Sequence, residues 1–389
     1  PTPHASRPSR HSSRHPRHLL AVSSYSNRRR RVILALLVIL LLAVAVYSLA
    51  SGAIPSSLAE TAAALPDAVA AVFASRGDEV ALIADGDGAD RRLPMILAEI
   101  RIPRLLLGLF VGAGLALCGA VMQGLFRNPM ADPGLLGVSS GAALGAVAAI
   151  VLGGGWLAHL GAEHAQRIAA WLLPAAAFGG GAASIVVVHR LSVVGGKTDI
   201  ATMLLAGIAV NAIAGAAIGL LHYIADEQQL RSLVFWSLGS LGVTDWRKLL
   251  VALAFMLPAL LLLPRYADAL NANLLGEREA VHLGIDLERV KRRLIALVAL
   301  TVGAAVCVSG IIGFVGLVVP HMIRLAVGPD HRLLLPASAL FGAALLVVAD
   351  IVARVAAAPA EIPIGIITAL LGGPFFLWLL VRFHRARAA

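Results

Sequence analysis

The sequence is poor in cysteine and in charged residues. Its two cysteines, Cys118 and Cys307, both lie in apolar segments, and no CxxC pair occurs. This pattern favours packed small side chains over a disulfide or a metal site. Charged residues make up only 14% of the chain, against about 25% in ordinary soluble domains, whereas 59% of its residues are hydrophobic. The composition therefore excludes an ordinary soluble domain and predicts a polytopic membrane protein.

Catalytic motifs are absent as well. The sequence contains no nucleophile with a neighbouring base, no paired intramembrane carboxylates and no cluster of metal ligands. It also lacks the phosphate-binding pattern GxxxxGK[ST], so the chain does not hydrolyse nucleotide itself. Ionisable residues that mark an ion-coupled carrier are scarce; Asp350 is the main one, and Arg354 lies one turn away and can pair with it. The chain is predicted to be a non-enzyme that takes its transport energy from a partner.

Positive charge is concentrated at the start of the chain. The formal net charge is +10, and eight arginines fall within the first 31 residues. The excess therefore belongs to a membrane-flanking tail rather than to a nucleic-acid-binding surface. Residues 1–31 are predicted to be a disordered, basic cytoplasmic tail, held inside by the positive-inside rule. A cleavable signal peptide is the alternative, but the next apolar run, 32–50, is longer than the roughly 7–15 residues typical of one.

Ten apolar segments are predicted to form the membrane helices of an all-α protein, because a bilayer requires about 20 apolar residues per helix. An even number of helices, with basic residues at most inner turns, places both termini in the cytoplasm. Residues 32–389 then form one ten-helix domain. Segment 313–324 is short and contains Pro320, which predicts a partial helix packed inside the protein. The segments are 32–50, 101–126, 135–153, 168–188, 200–222, 249–264, 294–312, 313–324, 333–355 and 364–382.

A charged segment, NANLLGEREAVHLGIDLERVKRR (271–293), separates two of these apolar runs. Within it Gly276, Ala280 and Gly284 recur every four residues and would share one face of a helix. A face of small residues lets another surface approach closely. We therefore expect a cytoplasmic helix within about 268–293 that a partner protein grips. An ordinary solvated loop is the alternative, because small residues at this spacing are common in a chain rich in alanine and glycine.

Four long segments resemble the FecCD-type permeases, the membrane subunits of bacterial ABC importers for heme, ferric siderophores and cobalamin. They are 101–142, 274–285 (LLGEREAVHLGI), 313–336 and 349–376. The resemblance covers the chain from about residue 32 and implies a multi-pass permease of the bacterial inner membrane. It further implies a homodimer, two ATP-binding subunits below it and a periplasmic binding protein above it. ATP is then used by the partner subunit, and the permease holds no permanent cofactor.

The resemblance also assigns roles to individual residues at the cytoplasmic side. Segment 271–284 matches the coupling helix, which sits in a groove of the ATPase in this family. The residues implied to contact the ATPase are Leu275, Gly276, Ala280, Leu283 and Gly284.

At the outer side, Arg101, Arg104 and Arg354 match the positions at which the family's permeases meet acidic residues of the binding protein. The predicted topology independently places all three at the outer surface, where Asp350 can orient Arg354. Anchoring at the membrane interface is the alternative role for these arginines.

Heme is the substrate that the sequence favours. Segment 230–242 (LRSLVFWSLGSLG) resembles the heme importers within the family. His222 and Tyr223 are residue types that can touch heme iron, and with Arg231 they are the predicted substrate-pathway residues. A lone histidine at a helix end is, however, more often an interfacial residue. Ferric siderophore and cobalamin are the alternatives within the family. An ion-coupled secondary carrier and a non-transporting receptor are the alternatives outside it.

Overall fold

The computed structural model describes residues 17–52, 54, 56–73, 92–157, 162–242 and 245–388. These residues form a helical bundle and one small antiparallel hairpin, in which β1 (Val193–Val194) pairs with β2 (Lys197–Thr198). The helices are α1 (Arg17–Ala50), α2 (Leu58–Phe73), α3 (Arg92–Leu125), α4 (Val138–Leu157), α5 (Ala162–Ser192), α6 (Ile200–Ile224), α7 (Glu227–Ser237), α8 (Trp246–Leu262), α9 (Ala267–Leu275), α10 (Glu277–His282), α11 (Leu287–Ser309), α12 (Val315–Val327), α13 (His331–Val355) and α14 (Ile364–Ala388).

The predicted all-α, multi-pass class is confirmed. Eight helical stretches in the described ranges are long and apolar enough to cross a membrane. Two shorter apolar helices, Val315–Val327 and Ile364–Leu379, fall where the eighth and tenth segments are predicted. The count of ten crossings and the cytoplasmic side of both termini remain predictions.

Aspartate begins five of the helices. In each case its carboxylate accepts a hydrogen bond of 2.7 to 3.0 Å from a backbone N–H of the first turn, which a helix otherwise leaves unpaired. At the start of α6 the N–H of Thr202 holds the pKa of the Asp199 carboxyl below its ordinary value. These caps explain where helices begin after polar turns. The capping residues are Asp199, Asp226, Asp245, Asp286 and Asp330.

Helix α3 is the centre of the bundle, because 78% of the residues in its most apolar 18-residue stretch are buried. Two of its glycines lie against the backbones of neighbouring helices. A Cβ on Gly112 would overlap the carbonyl oxygen of Gly342 in α13, and one on Gly119 would overlap that of Gly316 in α12. Small residues permit such close helix contacts in membranes. The small residues at positions 108, 112, 116 and 119 of the sequence predict such a packing face, and these two contacts confirm it.

Two boundaries differ from the predicted ones. Helix α1 begins at Arg17, so residues 17–31, predicted as disordered, are helical. The physical reason is that extending a formed helix costs far less than starting one, and arginine, leucine and alanine extend it well. Residues 1–16 of the predicted tail lie outside the described residues. Helix α3 begins at Arg92 and includes a π-helical turn, Leu97–Arg101, before the predicted start.

The packing of α3 yields a stability prediction. Replacing Gly119 by alanine should destabilise the permease by about 1–3 kcal/mol, because the added methyl group has to push α12 away. Thermal unfolding of the purified protein in detergent measures this. The matched control is Gly215→Ala on α6, where an added Cβ meets nothing within 4 Å. Equal melting temperatures for the two variants would contradict the close packing.

Candidate functional site

Polar side chains gather at two opposite ends of the bundle. One end holds α9, α10 and the first turns of α11 and α13; we call it the inner end, because charge predicts that it faces the cytoplasm. The outer end holds the arginine cluster Arg101, Arg104 and Arg354, together with Glu361. Each end was predicted to bind a partner protein.

At the inner end, the predicted docking helix is shorter than the residue spacing indicated. Helix α10 has six residues, Glu277–His282. Gly276 separates it from α9 with φ +135°, and Gly284 follows it with φ +79°. Glycine adopts positive φ at little cost, so both residues serve to redirect the chain.

The predicted stripe of small residues is wrong as a partner-facing surface. Ala280 is fully buried, at 0% exposure, so it faces the chain's own body. Gly276 and Gly284 lie outside the helix. A four-residue repeat places side chains on one face only within a continuous helix, and the two positive-φ glycines interrupt it.

Large apolar side chains are exposed at the inner end instead. We call Leu274, Leu275, Val281 and Leu283 the inner apolar set; they are 40%, 70%, 60% and 65% exposed. The prediction named Leu275 and Leu283 and missed the other two. The missed signal was the presence of four large apolar residues within a segment otherwise rich in charge. Exposed apolar residues in a polar surrounding are typical of an interaction surface.

Lys291 holds α10 against α11. Its Nζ lies 2.9 Å from Oε1 of Glu277 and 3.1 Å from Oε1 of Glu288, and its side chain is 3% exposed. Glu288 also accepts a 2.8 Å hydrogen bond from the backbone N–H of Thr198, which joins the β1–β2 hairpin to the cluster. A buried ammonium requires such partners because its desolvation is costly. The inner apolar set therefore rests on a fixed support.

Two asparagines connect α9 to the rest of the bundle. Asn273 Nδ2 donates 3.0 Å hydrogen bonds to the carbonyls of Gly124 and Leu125, the last residues of α3, which a helix end leaves unpaired. Asn271 Nδ2 donates to Oδ1 of Asp330 at 2.8 Å, just before α13. Burial raises the pKa of Asp330, but hydrogen bonds from Arg332 N–H and Asn271 outweigh it and leave the pKa below its ordinary value.

At the outer end, Arg104 lies between two carboxylates. Its Nε and Nη2 donate to Oδ1 of Asp350 at 3.0 and 2.9 Å, and Nη1 and Nη2 donate to Oε1 and Oε2 of Glu361 at 2.8 and 3.0 Å. Bidentate pairs of this kind are strong. The side chains of Arg104 and Asp350 are 8% and 4% exposed, whereas that of Glu361 is 45% exposed. Glu361 therefore covers the cluster on the solvent side.

The predicted pair of Asp350 and Arg354 is confirmed. Arg354 Nε lies 3.0 Å from Oδ2 of Asp350. Its other nitrogens reach the end of α1, donating to the Ser51 carbonyl at 2.7 Å and to Ser48 Oγ at 2.9 Å. Asp350 thus binds two arginines, and one of them is tied to α1.

Arg101 is held by α1 and the turn after it. Its Nη1 donates to the carbonyl of Leu49 at 2.6 Å and to Ser56 Oγ at 2.9 Å. The π-helical turn within α3 ends at this residue, next to the chain segment that follows α1.

The three arginines lie near one another, as predicted, but they are not exposed. Arg101, Arg104 and Arg354 are 5%, 7% and 6% exposed. The expectation of a free surface is therefore corrected. Topology predicts that the three arginines lie at one end of the bundle. It does not predict that carbonyls and carboxylates distant in sequence accept hydrogen bonds from their guanidinium groups. Glu361 was missed, although it is a lone carboxylate in an apolar outer turn. Docking remains a prediction for these residues.

The predicted substrate-pathway residues are all exposed. His222 and Tyr223 lie at the end of α6, where Tyr223 is 88% exposed. Arg231 lies in α7 and donates to Oε1 of Glu227 at 2.6 Å, four residues earlier. None of the three lines the nearby outer cavity of about 630 Å³, whose walls include Phe235 and Trp236. Their part in substrate movement remains a prediction.

The eight apolar helical stretches of the described ranges define a multi-pass membrane protein with a polar cluster at each end. Comparison with known proteins gives its class. The FecCD transport family matches residues 39–382, and the chain belongs to that family. The hemin transport system permease protein HmuU of Yersinia pestis is 50% identical over 293 residues, covering 75% of this chain and 85% of that protein.

Further relatives support the same class. The cobalamin import system permease protein BtuC of Halobacterium salinarum is 45% identical over 293 residues, covering 75% of both chains. A solved structure described as an inward-facing metal-chelate type ABC transporter matches with a TM-score of 0.73 and 33% identity, covering 90% of this chain and 99% of that one. The chain is therefore the permease of a type II ABC importer in the bacterial inner membrane. ATPase activity in this family is carried by separate subunits.

The outer cluster yields a second stability prediction. Replacing Asp350 by alanine should destabilise the permease by about 3–5 kcal/mol, because two buried arginines lose a shared counter-charge. Thermal unfolding in detergent is the measurement. The matched control is the replacement of Glu227 by alanine, since Glu227 forms an exposed ion pair with Arg231. This change should lower the free energy of unfolding by less than about 1 kcal/mol. A destabilisation no larger than that of the control would show that the cluster is unimportant for the fold.

Proposed function

We propose that this permease imports heme, moving it from a periplasmic binding protein to the cytoplasm while two ATP-binding subunits hydrolyse ATP. The observation that carries the proposal is the 50% identity to a hemin transport permease over 293 residues. The outer segment 230–242, which resembles the heme importers, supports it. Cobalamin is the second candidate, because a cobalamin permease is 45% identical over a similar length.

Transport in liposomes tests the substrate. The permease is reconstituted with its ATPase and binding protein, and uptake of heme and of cobalamin is compared with and without ATP. ATP-dependent uptake of heme alone is the expected result. Uptake of cobalamin alone would overturn the proposed substrate. Uptake driven by an ion gradient without the ATPase would instead indicate a secondary carrier.

A homodimer is part of the proposal, with the substrate path between the two copies. Helix α6 supports this arrangement, since only 17% of the residues in its most apolar 18-residue stretch are buried within one chain. Its exposed apolar side chains include Leu205, Ile213 and Leu220, at 68%, 69% and 64% exposure. A second copy would cover such a face, and His222 and Tyr223 would then lie at the outer mouth of the path.

The ATP-binding subunits are proposed to contact the inner apolar set, in the segment that contains Leu275, Gly276, Ala280, Leu283 and Gly284. The exposed leucines would supply the contact, while the glycines and buried Ala280 would shape the segment. Lys291 supports this role, because it holds the segment in place through Glu277 and Glu288.

Replacing both Leu275 and Leu283 by aspartate should weaken ATPase binding about thirtyfold or more, as expected for apolar anchors of an interface. Co-purification of the ATPase and heme-stimulated ATP hydrolysis measure the effect. The permease itself should fold normally, since both side chains are exposed. The control is Val194→Asp in the β1–β2 hairpin, also exposed and apolar, at 61%. Undiminished assembly of the double variant would refute the proposed contact.

The periplasmic binding protein is proposed to dock at Arg101, Arg104 and Arg354. Because Glu361 covers Arg104, a carboxylate of the binding protein would compete with Glu361 for the same donors. The burial of Arg104 favours exchange of one carboxylate for another, since an unpaired buried guanidinium is costly.

The competition predicts that Glu361→Gln tightens docking up to about fivefold at low salt, with a smaller gain at high salt. Affinity of the binding protein for the permease in nanodiscs is the quantity to measure. Glu227→Gln, which removes an exposed outer carboxylate away from the cluster, should leave the affinity unchanged. Weaker docking of Glu361→Gln would mean that Glu361 itself contacts the partner, and unchanged docking would mean that Arg104 plays no part.

A further inference from the structure

A cleft of about 370 Å³ opens between α5 and α11 in the inner half of the bundle. Its walls are apolar and include Phe178, Ile185, Ala299 and Leu300. Gly303 lies at the deep end, where a Cβ would come no closer than 3.7 Å to the ring of Phe178, so the space is not filled by tight packing. The lining contains no carboxylate. The function proposed above assigns no role to this cleft.

The mouth of the cleft is cationic. Arg190 at the end of α5 and Arg292 at the start of α11 both line it, and both are exposed. Across the ranges that the structure describes, neither arginine has a carboxylate within ion-pair distance. His189 lies beside them, and its Nδ1 is buried and makes no hydrogen bond within the same ranges. The mouth therefore presents two positive charges that no carboxylate of the described ranges neutralises, with a buried imidazole nitrogen beside them.

The cleft has the length of one membrane leaflet. Between Arg292 and Gly303, α11 rises about 16 Å at 1.5 Å per residue. That distance is about half of the roughly 30 Å hydrocarbon core of a bilayer. With the arginines at the level of the inner headgroups, Phe178 and Gly303 lie near the midplane. An apolar groove of this depth with a cationic mouth matches a lipid, with a hydrocarbon chain in the groove and an anionic headgroup at the mouth.

We propose that this cleft binds an anionic phospholipid of the inner leaflet. One acyl chain lies along the walls formed by α5 and α11, and the phosphate is bound by Arg190 and Arg292. Arginine pairs suit phosphate oxygens, and basic pockets between membrane helices on the cytoplasmic side select anionic headgroups. The site is independent of which substrate the permease carries.

Removal of the two charges tests the headgroup contact. The full chain, purified in detergent, is titrated with phosphatidylglycerol and with phosphatidylcholine, and bound lipid is counted by native mass spectrometry. The double variant Arg190→Gln/Arg292→Gln should bind phosphatidylglycerol about thirtyfold more weakly. Binding of phosphatidylcholine should not change. The double variant Arg278→Gln/Arg289→Gln removes two charges from the same end outside the cleft and should bind like the parent.

Filling the groove tests the acyl-chain contact separately. Ala296 lines the cleft and is exposed, so Ala296→Leu should reduce phosphatidylglycerol binding while both arginines remain. Ala35→Leu on an exposed face of α1 is the matched control, because this residue lies outside both the cleft and the proposed homodimer face.

Three results would overturn the proposal. Unchanged phosphatidylglycerol binding in both cleft variants would show that the lipid binds elsewhere. Displacement of the lipid by inorganic phosphate alone would indicate a site for a free anion. A change of oligomeric state in Ala296→Leu, with lipid binding retained, would indicate that a second copy of the chain covers the cleft.

Discussion

The close contact of α3 with α12 and α13 is the constraint on which the rest of this structure depends. Gly119 and Gly112 lie directly against backbone carbonyls of the neighbouring helices. Because these contacts are between backbones, no side chain can change its rotamer to relieve a clash if a helix shifts. The relative positions of the three helices are therefore fixed. Dispersion between closely packed backbones replaces the hydrophobic effect, which does not drive helix association within lipid. Both polar ends are positioned by this central unit.

The features that the sequence predicted correctly are local in the chain. The small-residue face of α3 follows from residues a few positions apart, and so does the ion pair of Asp350 and Arg354, one helical turn from each other. The stripe around Ala280 failed because two positive-φ glycines, whose conformation is set by the folded chain, end the helix on either side. The burial of Arg104 and Arg354 was also out of reach, since their partners Glu361 and Ser48 come from other parts of the chain.

Charge is treated differently at the two ends. The outer end holds three guanidinium groups and two carboxylates, and Arg101 is bound by carbonyls and a hydroxyl, so the cluster keeps a surplus of positive charge. At the inner end the buried Lys291 is matched by two acids, and the inner apolar set beside it is exposed. The outer surface therefore suits an acidic partner whose attraction depends on salt. The inner apolar set suits a partner held by burial of apolar area, which salt affects little.

Helix α3 carries Arg101 and Arg104 at its outer end, and its last two carbonyls are bound by Asn273 at the inner end. The two polar ends are therefore connected by one helix, and they lie about 30 Å apart along it at a rise of 1.5 Å per residue. Separation of α9 from α3 would leave two carbonyls without hydrogen-bond partners. Movement of the two helices together therefore costs less free energy than their separation. Thermodynamic linkage makes such a connection symmetric. If a partner bound at the inner end changes the free energy of binding at the outer end, then binding at the outer end changes the free energy of binding at the inner end by the same amount.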